Sequence, residues 1–158
     1  MAAFALCTVA TPSRAWAQAA VGDVAPVLSV PDLDGRLVRL APGPGRQAMV
    51  LEFWATWCEV CEALLPRVRE AQAKYANQVD FYGINVTVNE SKNRVRRFVA
   101  EHRLPFRTLY DERGAAVRAF AAPVTSYVVI VDAKGTIRYI GSGSAQDITK
   151  ELDRVVRQ

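Results

Sequence analysis

The sequence predicts a single α/β domain, and three observations carry that prediction. Residues 48–54 (Ala-Met-Val-Leu-Glu-Phe-Trp) form a near-continuous apolar run of strand length, the pattern of a central strand covered on both faces. A helical stretch from Cys58 to about Ala76 separates this run from a second strand at residues 79–86, and a strand–helix–strand unit makes its two strands parallel. Residues 125–131 and 136–140 flank the turn sequence Asp132-Ala133-Lys134-Gly135, which predicts an antiparallel hairpin.

The bulk composition agrees. A chain of 158 residues suits one domain of ordinary size, and 51% hydrophobic with 23% charged residues is the balance of a folded globular protein. The net charge of +4 is modest, and removing residues 1–17 would take away only Arg14. No clustered basic stripe of the kind a nucleic-acid surface needs is visible, so no nucleic-acid partner is expected.

Taken from the N-terminus, residues 1–10 are apolar and lead into Ala15-Trp16-Ala17, which has the small-x-small form of a signal-peptidase site. The apolar run has the length of a signal h-region and falls well short of the roughly 20 residues that span a bilayer. Residues 1–17 are therefore read as a signal peptide and residues 18–158 as the mature domain, placed in the periplasm or otherwise outside the cytoplasm. No Lys or Arg precedes the apolar run, which an upstream start would explain; a disordered Ala-rich terminus on a cytosolic protein is the alternative. Lipidation at Cys7 is disfavoured by the bulk of Leu6 before it.

Residues 28–40 read as a short hairpin turning at Asp34-Gly35, and Pro42-Gly43-Pro44-Gly45 as a loop. The covered strand carries one charge, Glu52, an anomaly in its setting. Ser91 is the expected N-cap of a second helix through His102, with Val95, Phe98 and Val99 on its apolar face and Arg94, Arg96, Arg97 and Arg103 on its solvated side. Residues 104–110 are expected to be irregular, residues 114–120 a short helix, and Ser144-Ala145-Gln146-Asp147 the capped start of a last helix.

Of the three cysteines, Cys58 and Cys61 lie three apart while Cys7 falls in the leader, so the mature chain keeps only the pair. Cys58 follows a buried strand and opens a helix, where unsatisfied backbone N–H groups and the positive end of the helix dipole favour a thiolate. Such positions lower a cysteine pKa from about 8.5 into roughly 3.5–7.5, and the thiolate is the attacking species. Cys61 lies one turn further on the same face, placed to resolve a mixed disulfide. A structural zinc site needs four ligands, and beside this pair the mature chain offers only His102, so no metal is expected. A structural staple closing so short a loop would stabilise little.

The segment Phe53-Trp54-Ala55-Thr56-Trp57-Cys58-Glu59-Val60-Cys61, with Pro66 five residues on, resembles the active-site segment of thioredoxins. Gly22-Asp23-x-Ala25-Pro26 followed by the Asp34-Gly35 hairpin resembles, more narrowly, the exported TlpA/ResA-type thiol–disulfide oxidoreductases. The resemblance spans about residues 21–157. It implies a thioredoxin fold, a three-layer α/β/α arrangement on a central mixed sheet, with an N-terminal β-hairpin extension and an insertion around residues 86–110. It also implies a redox-active Cys58–Cys61 disulfide without a dissociable cofactor, protein disulfides and dithiols as substrates, and a membrane-bound electron donor.

Further roles follow from the same resemblance. Glu52 is six residues before Cys58, where thioredoxins carry a buried aspartate that handles protons during exchange. Burial would raise its pKa and suit it to acid–base work on the Cys61 thiol, the alternative being a carboxylate that reaches solvent or an arginine. ResA-like members often carry a glutamate three residues after the second cysteine; Leu64 stands there, leaving Glu52 as the expected sole buried acid. Trp57 is expected to shield the sulfur and shape the docking surface, Trp54 to sit in the core, and Pro66 to kink its helix. Pro123 is the candidate for the cis-proline that thioredoxin folds set opposite the cysteines, although Val124-Thr125-Ser126 intervene before the aromatic Tyr127; an ordinary trans loop proline is the alternative.

The reading is a protein thiol–disulfide oxidoreductase working as a reductant, because Glu59 places a negative charge beside Cys58 and disfavours a strongly oxidising site. Two rivals remain. A peroxiredoxin-like peroxidase would need a Thr-x-x-Cys element, whereas Thr56 is only two before Cys58. A copper-binding module of the same fold would favour CxxxC spacing and a distal histidine.

Overall fold

The computed structural model describes residues 19–156; the signal-peptide reading and Cys7 lie outside the described residues. The first strands among the described residues form a two-stranded antiparallel ribbon, β1 (Ser29–Pro31) and β2 (Leu37–Arg39), with Val30 opposite Val38. Asp32 closes the turn between them by accepting the backbone N–H groups of Asp34 and Arg36. The main sheet contains β3 (Ala48–Trp54), β4 (Val79–Asn85), β5 (Arg107–Tyr110), β6 (Tyr127–Asp132) and β7 (Ile137–Ser142) in the spatial order β5-β4-β3-β6-β7. Pairing is parallel from β3 to β4 to β5 and antiparallel from β3 to β6 to β7, so the sheet is mixed, as expected.

The described residues also form four helices: α1 (Glu59–Tyr75), α2 (Lys92–His102), α3 (Ala115–Ala119) and α4 (Ile148–Val156). All seven residues of β3 are buried, because alternate side chains enter two different cores. Met49, Leu51 and Phe53 meet Val30 and Val38 of the ribbon and Ala116 and Phe120 around α3. Ala48 and Val50 meet Leu64, Val68 and Ala71 of α1 and Ile148 and Leu152 of α4. At the C-terminal end of β3 a third cluster joins Trp54, Cys58 and Cys61 to Val95 of α2, with Phe98, Leu104 and Phe106 packed against it. This is the three-layer arrangement the sequence implied.

One element departs from expectation. Residues 107–110, expected to be irregular, form β5, a parallel edge strand in register with β4 from Tyr82↔Arg107 to Asn85↔Tyr110. Four residues following a proline carry no readable period; their pairing partner lies more than twenty positions away, and the ribbon completes the site. Arg107 reaches Asp32 at 2.6 Å, and Leu109 bridges to the backbone of Asp32, so the ribbon covers the exposed edge of β5. The insertion expected around residues 86–110 is thus a loop, α2 and β5. The arginines of α2 are exposed as expected, with Arg96 also held by Leu33 O and by Asp34 at 3.2 Å.

Candidate active site

The site forms where β3 ends. Residues 55–57 make a turn in which Cys58 N–H donates to Ala55 O at 3.2 Å, and Cys58 becomes the N-cap of α1. Its backbone is extended (φ −91°, ψ 92°), and its sulfur accepts the Cys61 N–H at 3.1 Å. In effect the sulfur occupies the place of a capping side-chain oxygen, so a thiolate there gains a backbone donor and the helix dipole. Cys58 and Cys61 are joined in a disulfide with Cα atoms 5.3 Å apart, and only 5% and 6% of their surfaces are exposed. Glu59 and Glu62 stand in the first turn of α1, where their charges oppose a thiolate. Pro66 is exposed, and α1 continues through it to Tyr75.

Glu52 is 2% exposed, between Gly83 of β4 and Val128 of β6. It shares a face of β3 with Trp54 and borders a cavity whose wall also includes Cys61, Glu62, Leu65 and Phe98. The space open to the centre of a water-sized sphere there is ≈ 10 Å³, about the size of one water. Glu52 Oε2 has no hydrogen-bond partner among the described residues, and burial pushes its carboxyl up to about 8. The acid therefore lines the same small cavity as the resolving cysteine, and burial moves its ionisation into the range where thiols titrate.

Glu52 is not the sole buried acid. Asp32, Asp111 and Asp132 are buried too, but each has hydrogen-bond donors: Arg107 on Asp32, the Val117 N–H on Asp111, and Arg138 on Asp132. Among these buried acids Glu52 is the one that borders the redox centre, and Leu64 is fully buried in the α1 core.

Trp57 is 44% exposed beside Cys58, and its Nε1–H donates to Val88 O at 2.8 Å. The expected cis-proline is corrected: no described peptide bond is cis, so Pro123 is trans and exposed on the loop entering β6. The extra spacing before Tyr127 explains this. Ser126 adopts a left-handed conformation (φ 59°) and donates its N–H to Phe53 O at 2.7 Å, so the chain turns into β6 at the serine. His102 stacks on Phe98 with centroids 3.9 Å apart.

Sequence reasoning missed the loop after β4. Glu90 accepts the Thr56 N–H at 2.5 Å and the Thr56 hydroxyl at 3.0 Å, binding that loop to the redox turn. Only the general tendency of loops after parallel strands to gather at one end of the sheet could have indicated it. Phe106 was also missed: its ring lies on Gly83, where an added Cβ would come within 2.1 Å of it, and it walls the Glu52 cavity.

A disulfide that closes the first turn of a helix, beside a buried carboxyl on a mixed five-stranded sheet, is the arrangement of a thiol–disulfide oxidoreductase of the thioredoxin fold. The profile of the AhpC/TSA family matches residues 21–140, and the chain belongs to that family. It is 31% identical over 137 residues to the thioredoxin-like protein YneN of Bacillus subtilis, covering 84% of this chain and 78% of that protein. It is 30% identical over 139 residues to the thiol-disulfide oxidoreductase ResA of Geobacillus thermodenitrificans, covering 86% and 78% respectively. Among solved structures, StoA from Bacillus subtilis superimposes with a TM-score of 0.67 at 21% identity, covering 82% of this chain and 96% of that one. A secreted disulfide oxidoreductase of Mycobacterium tuberculosis gives 0.66 at 23% identity, covering 80% and 95%.

Proposed function

We propose that this protein is an exported disulfide reductase acting on other proteins, with Cys58 as nucleophile, Cys61 as resolving thiol and Glu52 as the proton acceptor for Cys61. The observation that carries the reading is the enclosure that Glu52 shares with Cys61, together with the capping position of Cys58. In the reduced protein the Cys58 thiolate attacks one sulfur of a substrate disulfide, forming a mixed disulfide and releasing the first substrate thiolate. Cys61 then passes its proton to the ionised form of Glu52, whose share grows as pH approaches about 8, and attacks the Cys58 sulfur, expelling the second substrate thiolate. Two electrons have moved to the substrate, and the protein is left as the Cys58–Cys61 disulfide.

The reducing direction is supported by Glu59 and Glu62, whose charges lie in the first turn of α1 and disfavour the Cys58 thiolate that a strong oxidant would stabilise. No dissociable cofactor enters these steps; a membrane-bound dithiol donor would return the pair to its reduced form. Export rests on the apolar leader and the Ala15-Trp16-Ala17 site, and it places the protein in the periplasm or an equivalent compartment. Mass spectrometry of the exported product should find Gln18 at its N-terminus; retention of residues 1–17 would contradict that reading.

The function is tested by insulin reduction with dithiothreitol as electron donor, run beside a peroxide-consumption assay. Catalysed insulin reduction with negligible peroxide turnover is expected. The reverse pattern would assign the site to peroxide chemistry, against which stands the Thr56 hydroxyl, already engaged by Glu90.

A further inference from the structure

We propose that Glu90 is a positioning residue of the redox centre: its carboxylate clamps the turn that holds Cys58 at the mouth of α1. The inference rests on the reductase reading above for its functional meaning, but its geometry stands apart from that reading. Thr56 is two residues before Cys58 in the turn of residues 55–57, and its N–H and hydroxyl both point at one group. A carboxylate can accept both bonds at once, and charge-assisted bonds of this kind are roughly twice as strong as neutral ones.

The path of the chain supports a clamp. Val86 N–H donates to Trp54 O at 2.8 Å, Val88 O accepts the Trp57 indole at 2.8 Å, and Glu90 takes Thr56. Three contacts therefore fasten the loop after β4 along the end of β3 and the redox turn. Asn89 adopts a left-handed conformation (φ 56°), which reverses the chain so that Glu90 points back at Thr56. The far end is anchored because Ser91 caps α2 through the Arg94 N–H at 3.3 Å.

A purely local role fits less well. The open N–H groups at the start of α2 would attract an acid, yet that first turn contains none and Ser91 supplies the cap. Glu90 is instead spent across a chain separation of 34 residues, on the segment that sets the Cys58 sulfur beside the Cys61 N–H. The same clamp fixes Trp57 on the exposed rim of the disulfide.

The test compares wild type, Glu90→Ala and Glu90→Gln in the full chain, reading Cys58 alkylation of the reduced protein against pH. Because Gln keeps an acceptor for the Thr56 N–H but carries no charge, it separates the clamp from the charge. The expected result is an upward shift of the alkylation midpoint in Glu90→Ala, with about a tenfold slower reaction at neutral pH, and substantial rescue in Glu90→Gln. A downward shift in Glu90→Ala, a Gln variant as impaired as Ala, or an Ala variant that loses only thermal stability would each overturn the clamp. Amide exchange in wild type covers the case of an Ala variant that does not fold: the Thr56 N–H should be protected, and exchange as fast as that of exposed Asn89 would refute the proposal. Failure of wild type to reduce insulin would sink the reductase reading, while the alkylation and exchange results would still decide the clamp.

Discussion

Glu52 is the side chain whose chemistry depends most on its place. A carboxyl with an ordinary value near 4.5 and a folded value of about 8 binds more protons in the native than in the unfolded state between those limits. Stability therefore falls as pH rises from about 4.5 to about 8 and changes little from this source beyond. Glu52→Gln should flatten that slope and stabilise the oxidised protein at pH 8, by up to roughly 4–5 kcal/mol, as read by urea unfolding at several pH values. An unchanged slope would mean that Glu52 is solvated. The cysteine pair and Glu52 were legible because their spacing is local: three residues and six residues along one strand and one helix. Pro123 was misread for the opposite reason, since the turn is made by the left-handed Ser126, which a one-dimensional pattern does not mark.

Secondary-structure elements explain how these side chains are presented. β3 and α1 were readable from an apolar run and from a helix beginning at Cys58, and both have the expected bounds within a residue. β5 was not, because its four residues are strand only by pairing with β4 and by cover from the ribbon. Its cost is visible at Gly83, which faces Phe106 from the next segment of chain. Gly83→Ala should force that ring off the sheet, lower stability by about 1–3 kcal/mol in urea unfolding, and open the Glu52 cavity to water. Wild-type stability in this variant would show that Phe106 is free to move aside.

Taken whole, the molecule sets its redox centre at one end of the sheet and fastens the N-terminal ribbon against the β5 edge. Asp32 links the two: the Arg107 guanidinium holds its carboxyl below the usual range, and the Arg36 and Asp34 N–H groups add to this against the cost of burial. A lowered native value means stability that is present at neutral pH and lost as pH falls below about 4. Asp32→Asn should lower Tm at pH 7 and have a smaller effect at pH 3; an equal effect at both would remove the ion pair from the account. This coupling of ribbon to edge was not legible in the sequence, because Asp32 and Arg107 are 75 residues apart.

The order of events at the two sulfurs is the centre of the account, and trapping reads it directly. Incubated in reduced form with disulfide-bonded client proteins, Cys61→Ser should accumulate mixed disulfides that mass spectrometry locates on Cys58, while Cys58→Ser should accumulate none. Mixed disulfides on Cys61 in the second variant, or none in the first, would contradict it.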